Sequence, residues 1–67
     1  MAQAEFNIGR FDLTTNALKE NEWVVGDTAA SVLMEHTGCT FGAVERHGNG
    51  SARVIIGGEL YRAERAV

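Results

Sequence analysis

The sequence has 67 residues, with six basic and nine acidic side chains, a formal net charge of −3, and one cysteine. This length predicts a single domain over residues 1–67, and the single cysteine excludes an intrachain disulfide framework. The acidic charge disfavours nonspecific nucleic-acid binding, and the sequence has neither a long apolar run nor a basic leader, so we expect a cytoplasmic protein that does not span a membrane.

The first predicted element is one bent strand over residues 4–14, or a strand followed by an extended segment. Phe6 and Ile8 fit one alternating face, whereas Phe11 and Leu13 fit the other. The change of face falls at the Gly-Arg pair between them, which is typical of a β-bulge or bend.

A polar run over residues 15–22 is predicted to be a loop or one helical turn. It is followed by Trp23-Val24-Val25-Gly26, which is typical of a short strand or an anchoring segment. Trp23 is the largest apolar side chain of the sequence, and the pattern leaves open whether it belongs to the core or to an interface.

A helix is predicted from about residue 27 to residue 36. Asp27 or Thr28 is the expected N-cap, and Gly38 is a typical glycine beyond the last turn. Because a helix this short is unstable alone in water, it must pack on a sheet. Its expected apolar stripe comprises Ala29, Ala30, Val32, Leu33 and Met34.

The region from residue 38 to residue 66 predicts a three-stranded antiparallel meander with glycine-rich turns. A turn at Gly48-Asn49 is expected to place Arg46 opposite Ser51. The rival turn, one residue later, would place Arg46 directly opposite Arg53, and like charges in that position are unfavourable. A second turn at Gly57-Gly58 is expected in the last hairpin.

These turns define the two expected faces of the meander. With the second turn, Val54 lies opposite Tyr61, and Arg53 lies opposite Arg62. The expected core face collects Phe41, Ala43, Val54, Ile56, Tyr61 and Ala63, continuing an alternation that begins at Cys39. The other face collects Val44, Arg46, Arg53, Ile55, Leu60 and Arg62.

The predicted fold class is α+β: a small two-layer sandwich in which one helix covers one face of an antiparallel sheet of three to five strands. The predicted order is β-(β)-α-β-β-β. The uncovered face mixes apolar and arginine side chains, so either the N-terminal segment or a partner is expected to cover it.

Candidate catalytic and metal sites are weak in this sequence. His36, Cys39 and His47 are its only imidazole and thiol groups, fewer than the four ligands of a structural zinc site. Cys39 is expected to be a small buried apolar residue rather than a nucleophile. No pair of carboxylates suggests acid–base catalysis. We therefore expect no catalytic residues, no cofactor and no metal.

One set of residues runs from the predicted helix through the first turn of the meander. It comprises Ala29-Ala30-Ser31, Met34, Cys39, Phe41-Gly42, Val44, Arg46 and Asn49-Gly50. With this set, the second half of the sequence resembles small phage anti-CRISPR proteins that block type I CRISPR surveillance complexes. This resemblance implies a short helix on an antiparallel sheet and a stoichiometric inhibitor that occupies a nucleic-acid-binding or subunit surface of a host complex.

The leading hypothesis is a non-enzymatic protein-binding inhibitor. Alternatives are a homo-oligomer that pairs through edge strands, a small enzyme or ligand binder that uses Cys39 and a histidine, and a nucleic-acid binder limited to the arginine face. The residues expected to contact a protein partner are Arg46, His47, Asn49, Arg53, Tyr61 and Arg62, followed by Glu45 and Glu59.

Overall fold

The structure is a computed structural model that describes residues 3–66. One helix, α1, packs on a five-stranded antiparallel sheet of order β2-β1-β5-β4-β3, which confirms the predicted α+β class and element order. None of the helices in this range is long and apolar enough to cross a membrane. The elements are β1 (Ala4–Asp12), β2 (Leu18–Gly26), α1 (Ala29–Thr37), a 3₁₀ turn (Phe41–Ala43), β3 (Glu45–Arg46), β4 (Ala52–Ile56) and β5 (Glu59–Arg65).

Strands β1 and β2 form a hairpin, and the predicted irregularity is present in it. The pairing changes register between Arg10 and Phe11, where Lys19 is the extra residue on β2. Asp12 shapes the connection, because its carboxylate accepts the backbone N–H groups of Thr14 and Thr15.

The prediction of a loop or helical turn over residues 15–22 is wrong from Leu18 onward, where β2 begins. The polar side chains of this strand have partners that are distant in sequence. Lys19 Nζ lies 2.5 Å from a Glu59 carboxylate oxygen, and Glu20 lies 3.1 Å from Arg10 Nε. These partners, together with pairing to β1, stabilise a strand whose local sequence favours a loop.

Both ends of α1 match the expected capping pattern. Thr28 is the N-cap and exchanges hydrogen bonds with Ser31 in a capping box. Gly38 ends the helix in the left-handed conformation, with φ of 77°, and its N–H donates to the Met34 carbonyl.

The core lies between α1 and one face of the sheet, which we call the helix side. Leu33 is fully buried at its centre. Met34, expected in the apolar stripe, is only half-buried. The core cluster comprises Phe6, Ile8, Ala29, Ala30, Val32, Leu33, Ala52, Val54 and Ala63.

The first predicted strand of the meander is largely wrong. Phe41–Ala43 forms a 3₁₀ turn, and Phe41 is 50% exposed rather than in the core. Only Glu45–Arg46 pairs with β4. A glycine weakens a strand interior, so Gly42 is consistent with this early departure from the sheet. Cys39 is half-buried and packs against the core cluster.

The turn between β3 and β4 differs from both candidates. His47 accepts from the Gly50 N–H, and its own N–H donates to Ser51, so the loop has three residues. Only Gly50 requires positive φ, at 89°. The extra loop residue shifts the register, so that Arg46 lies opposite Ala52 on the helix side.

The second hairpin matches its prediction. Gly57 and Gly58 have φ of 57° and 79°, as a two-residue type I′ turn requires. The observed pairs include Val54 with Tyr61 and Ala52 with Ala63.

Candidate protein-binding face

The sheet is covered by α1 on one side only, and we call the other side the open face. Residues directly opposite each other in paired strands share a face, so the strand registers assign every position. The open face is therefore a grid of side chains arranged in rows across the strands.

An apolar band forms one of these rows. Leu18 of β2 lies opposite Phe11 of β1, which lies opposite Leu60 of β5, which lies opposite Ile55 of β4. Leu18 and Ile55 are 54% and 56% exposed, whereas Phe11 and Leu60 are half-buried. Four strands thus present one continuous apolar strip to solvent.

The Phe11 ring leans over Gly9 in the neighbouring row. A β-carbon at Gly9 would lie 2.9 Å from Phe11 Cε1 and 3.4 Å from Leu18 Cδ1. The two side chains therefore occupy the space that a larger residue would take, an arrangement known to protect strand glycines.

The row beside the band contains the predicted pair of arginines. Arg53 and Arg62 are directly opposite each other, as expected. Each has its own acidic partner: Arg53 Nε lies 3.0 Å from Glu45 Oε1, and Arg62 forms an ion pair with Glu64. Their repulsion is therefore relieved within the chain, and it gives no separate evidence for an anionic partner.

A shallow cavity at the hairpin end of the open face brings together four of the predicted contact residues. Its volume is about 220 Å³. Its lining includes both arginines, and its residues are His47, Asn49, Ser51, Arg53 and Arg62.

Trp23 is the most exposed large apolar side chain of the open face, at 64%. It lies opposite Asn7 of β1, and Val25, 58% exposed, lies two residues further along β2. Within the described residues, Asn7 Nδ2 is shielded from solvent and has no hydrogen-bond partner. The exposed tryptophan side chain therefore lies directly across from a shielded side-chain amide.

Of the remaining predicted contact residues, Glu45 lies on the open face opposite Arg53, whereas Arg46, Tyr61 and Glu59 lie on the helix side. The expectation that Arg46 shares a face with Arg53 and Arg62 is therefore wrong. Arg46 stacks on Phe41, with Cζ 4.7 Å from the ring centroid. The half-buried Tyr61 packs edge-on against His36, at 6.2 Å between centroids.

Glu59 is also on the helix side and belongs to an ion cluster. Its carboxylate accepts from Lys19 and, at 3.0 Å, from Arg10. These hydrogen bonds lower the pKa of Glu59 and raise the pKa of Arg10. The cluster links β1, β2 and β5, so Glu59 has a structural role within the sheet.

The sequence pattern placed Ile55 and Leu60 on the uncovered face, as observed, but it missed the apolar side chains that β2 adds there. The alternation Asn21, Trp23, Val25 on β2 is the signal that could have found them, but the polar run that ends at Glu22 suggested a loop. Between residues 3 and 66, no group of three or more His, Cys, Asp or Glu side chains could hold a metal ion. No protein-family model matches the chain, and comparisons with curated proteins and with solved structures found no match.

Proposed function

We propose that the protein is a non-enzymatic protein-binding module that docks its open face on a larger partner and acts by covering a functional surface of that partner. The observation that carries this proposal is the apolar band, together with Trp23 on the far side of the arginine row. Both stay exposed on one face, although the opposite side of the sheet has a packed core. Large exposed apolar patches rimmed by polar groups are typical of interaction sites.

The dimensions of the open face suit a protein interface. Because β3 has only two residues, we count four strands about 4.8 Å apart and four residue rows about 6.7 Å apart, which give an area of roughly 500 Å². A standard interface buries roughly 800 Å² on each partner, so the open face would supply the greater part of one.

The composition of the face also favours a protein over a nucleic acid. Its arginines are already paired with Glu45 and Glu64, and the chain is acidic overall. Tryptophan and arginine are the residue types that most often dominate binding energy in protein interfaces. Trp23 is therefore the expected anchor, and the arginine row the expected source of orientation.

The resemblance to anti-CRISPR proteins supplies a specific form of the proposal. In this form the partner is a type I CRISPR surveillance complex in the cytoplasm of a bacterial host. The protein would cover a nucleic-acid-binding or subunit surface, so that DNA binding by the complex falls in proportion to the inhibitor bound.

The test is binding of the purified chain to a purified type I surveillance complex, with target-DNA binding as a second readout. Leu18→Ser/Trp23→Ser removes two exposed apolar side chains of the open face. We expect it to weaken binding by roughly thirtyfold or more, because even one buried interface anchor is worth about 2 kcal/mol or more.

The matched control is Phe41→Ser, which removes a similarly exposed apolar side chain from the helix side of the molecule. It should bind like wild type. Equal loss in both variants would contradict the open face as the docking surface, and absence of binding by wild type would reject the surveillance complex as the partner.

A further inference from the structure

The outer edge of β2 is the long unpaired edge of the sheet. The strand order leaves β2 and β3 at the two edges, and β3 has only two residues whereas β2 has nine. An edge strand presents backbone N–H and C=O groups that can pair with another strand. Among the described residues, the usual protection by proline is missing from β2, and its bulge lies near one end, at Lys19.

The direction of the free backbone groups follows from the bonds on the other side of β1. Ala66 N donates to the Glu5 carbonyl at 2.9 Å, and Leu13 N donates to the Gly58 carbonyl at 3.2 Å. The odd-numbered residues of β1 therefore bond to β5. Because bonding alternates along an antiparallel strand, the even-numbered residues bond to β2.

The even-numbered residues of β1 lie opposite even-numbered residues of β2, such as Phe6 opposite Val24. The backbone groups of the intervening residues must then point away from the sheet. These are Asn21, Trp23 and Val25, and they form a continuous bulge-free segment of the edge.

We infer that the protein forms a two-fold symmetric homodimer in which β2 pairs antiparallel with β2 of a second copy, centred on Trp23. In this register Trp23 lies opposite its own counterpart, and Asn21 lies opposite Val25 of the second copy. Each hydrogen-bonded pair exchanges two bonds, so the three pairs supply roughly six.

Charge and length favour this register over its neighbours. It places Glu22 opposite Val24 and Glu20 opposite Gly26, so no two carboxylates face each other directly. Centring on Glu22 would bring two carboxylates together. Centring on Val24 would place Asn21 opposite Asp27, which lies beyond the end of β2.

The β2 strand of a second copy fits this edge better than the β3 strand of a second copy, because β3 offers only two residues for pairing. Antiparallel pairing also closes after two chains, as a two-fold interface requires. Directly opposed residues share a face, so the two open faces would join into one surface with two tryptophans at its centre. The inference thus goes beyond the proposed function and adds an assembly to it.

Disulfide trapping tests the register without altering Trp23. In a Cys39→Ser background, Asn21→Cys and Val25→Cys chains are prepared separately and then mixed under mild oxidation. Hydrogen-bonded pairs have Cα atoms about 5.5 Å apart, within the range of disulfides. We expect a cross-linked heterodimer in the mixture and little cross-linking in either chain alone.

A mixture of Glu22→Cys and Val25→Cys chains is the matched control, because these positions lie on opposite faces and should not cross-link. Cross-linking that is equal in the control, or absent from the Asn21→Cys/Val25→Cys mixture, would overturn the dimer.

The solution mass gives an independent readout. Wild type should show twice the chain mass of 7.2 kDa at micromolar concentration. Asn21→Pro removes one outward N–H group and leaves the hydrogen bonds to β1 in place. We expect it to weaken the dimerisation affinity roughly tenfold or more relative to wild type. A monomeric wild type contradicts the inference, whereas an unfolded Asn21→Pro leaves the disulfide result to decide.

Discussion

Gly26 ends β2 directly beneath the helix, where the backbone and α1 are in close contact. A β-carbon at this position would lie 2.4 Å from Val32 Cγ1, a distance that forces the helix or the strand to move. We predict that Gly26→Ala destabilises the fold by roughly 1–3 kcal/mol through overpacking, measured as the free energy of unfolding in urea.

Gly42→Ala is the control, because a β-carbon there meets nothing within 4 Å and its φ is not positive. It should change stability by less than about 0.5 kcal/mol. Combining Gly26→Ala with Val32→Ala should cost less than the sum of the single changes. Strict additivity would contradict the contact between strand and helix.

Among the elements, β2 depends most on charged contacts, since Lys19, Arg10 and Glu59 connect it to β1 and β5. The hydrogen bonds from Lys19 and Arg10 lower the pKa of Glu59 from its ordinary value near 4.5. A carboxylate with a lowered folded pKa contributes stability above its unfolded pKa, and this contribution is lost as pH falls through the folded pKa.

We therefore predict that the stability advantage of wild type over Glu59→Gln is largest above about pH 5 and shrinks as pH falls below about 4. Urea unfolding midpoints for both chains, measured across this range, provide the check. Salt should reduce the advantage, because the cluster is partly exposed. A difference that does not depend on pH would show that the carboxylate charge of Glu59 is not what stabilises β2.

Elements with local signals could be predicted from the sequence, and elements that rely on distant partners could not. The caps at Thr28 and Gly38 locate α1. The Gly57-Gly58 pair fits a single two-residue turn, and this turn fixes the register of the β4–β5 hairpin. The Gly-Asn-Gly sequence is compatible with a loop of two residues or of three. The observed loop has three, so the β3–β4 register differs from the predicted one by one residue and Arg46 lies on the helix side.

At the scale of the whole molecule, the fold class followed from the sequence because one amphipathic helix and alternating strands allow few architectures. The candidate site followed only in part. Arg53 and Arg62 were expected on an uncovered face and lie there, but the apolar band depends on β2. The sequence alone could not show that β2 carries Leu18 and Trp23 onto the same face as Ile55.

Contact between the open face and a partner can be measured directly at Trp23, because it is the only tryptophan of the chain. Incorporation of 5-fluorotryptophan gives one fluorine resonance, which reports the surroundings of this side chain. Spectra at several dilutions, recorded first, separate the effect of self-association from the effect of a partner.

The measurement is a titration of the labelled protein with the unlabelled surveillance complex. We predict that the resonance shifts or broadens in proportion to the bound fraction and that Phe41→Ser gives the same result. An unchanged resonance in a sample where the two proteins co-elute would contradict the open face as the binding surface.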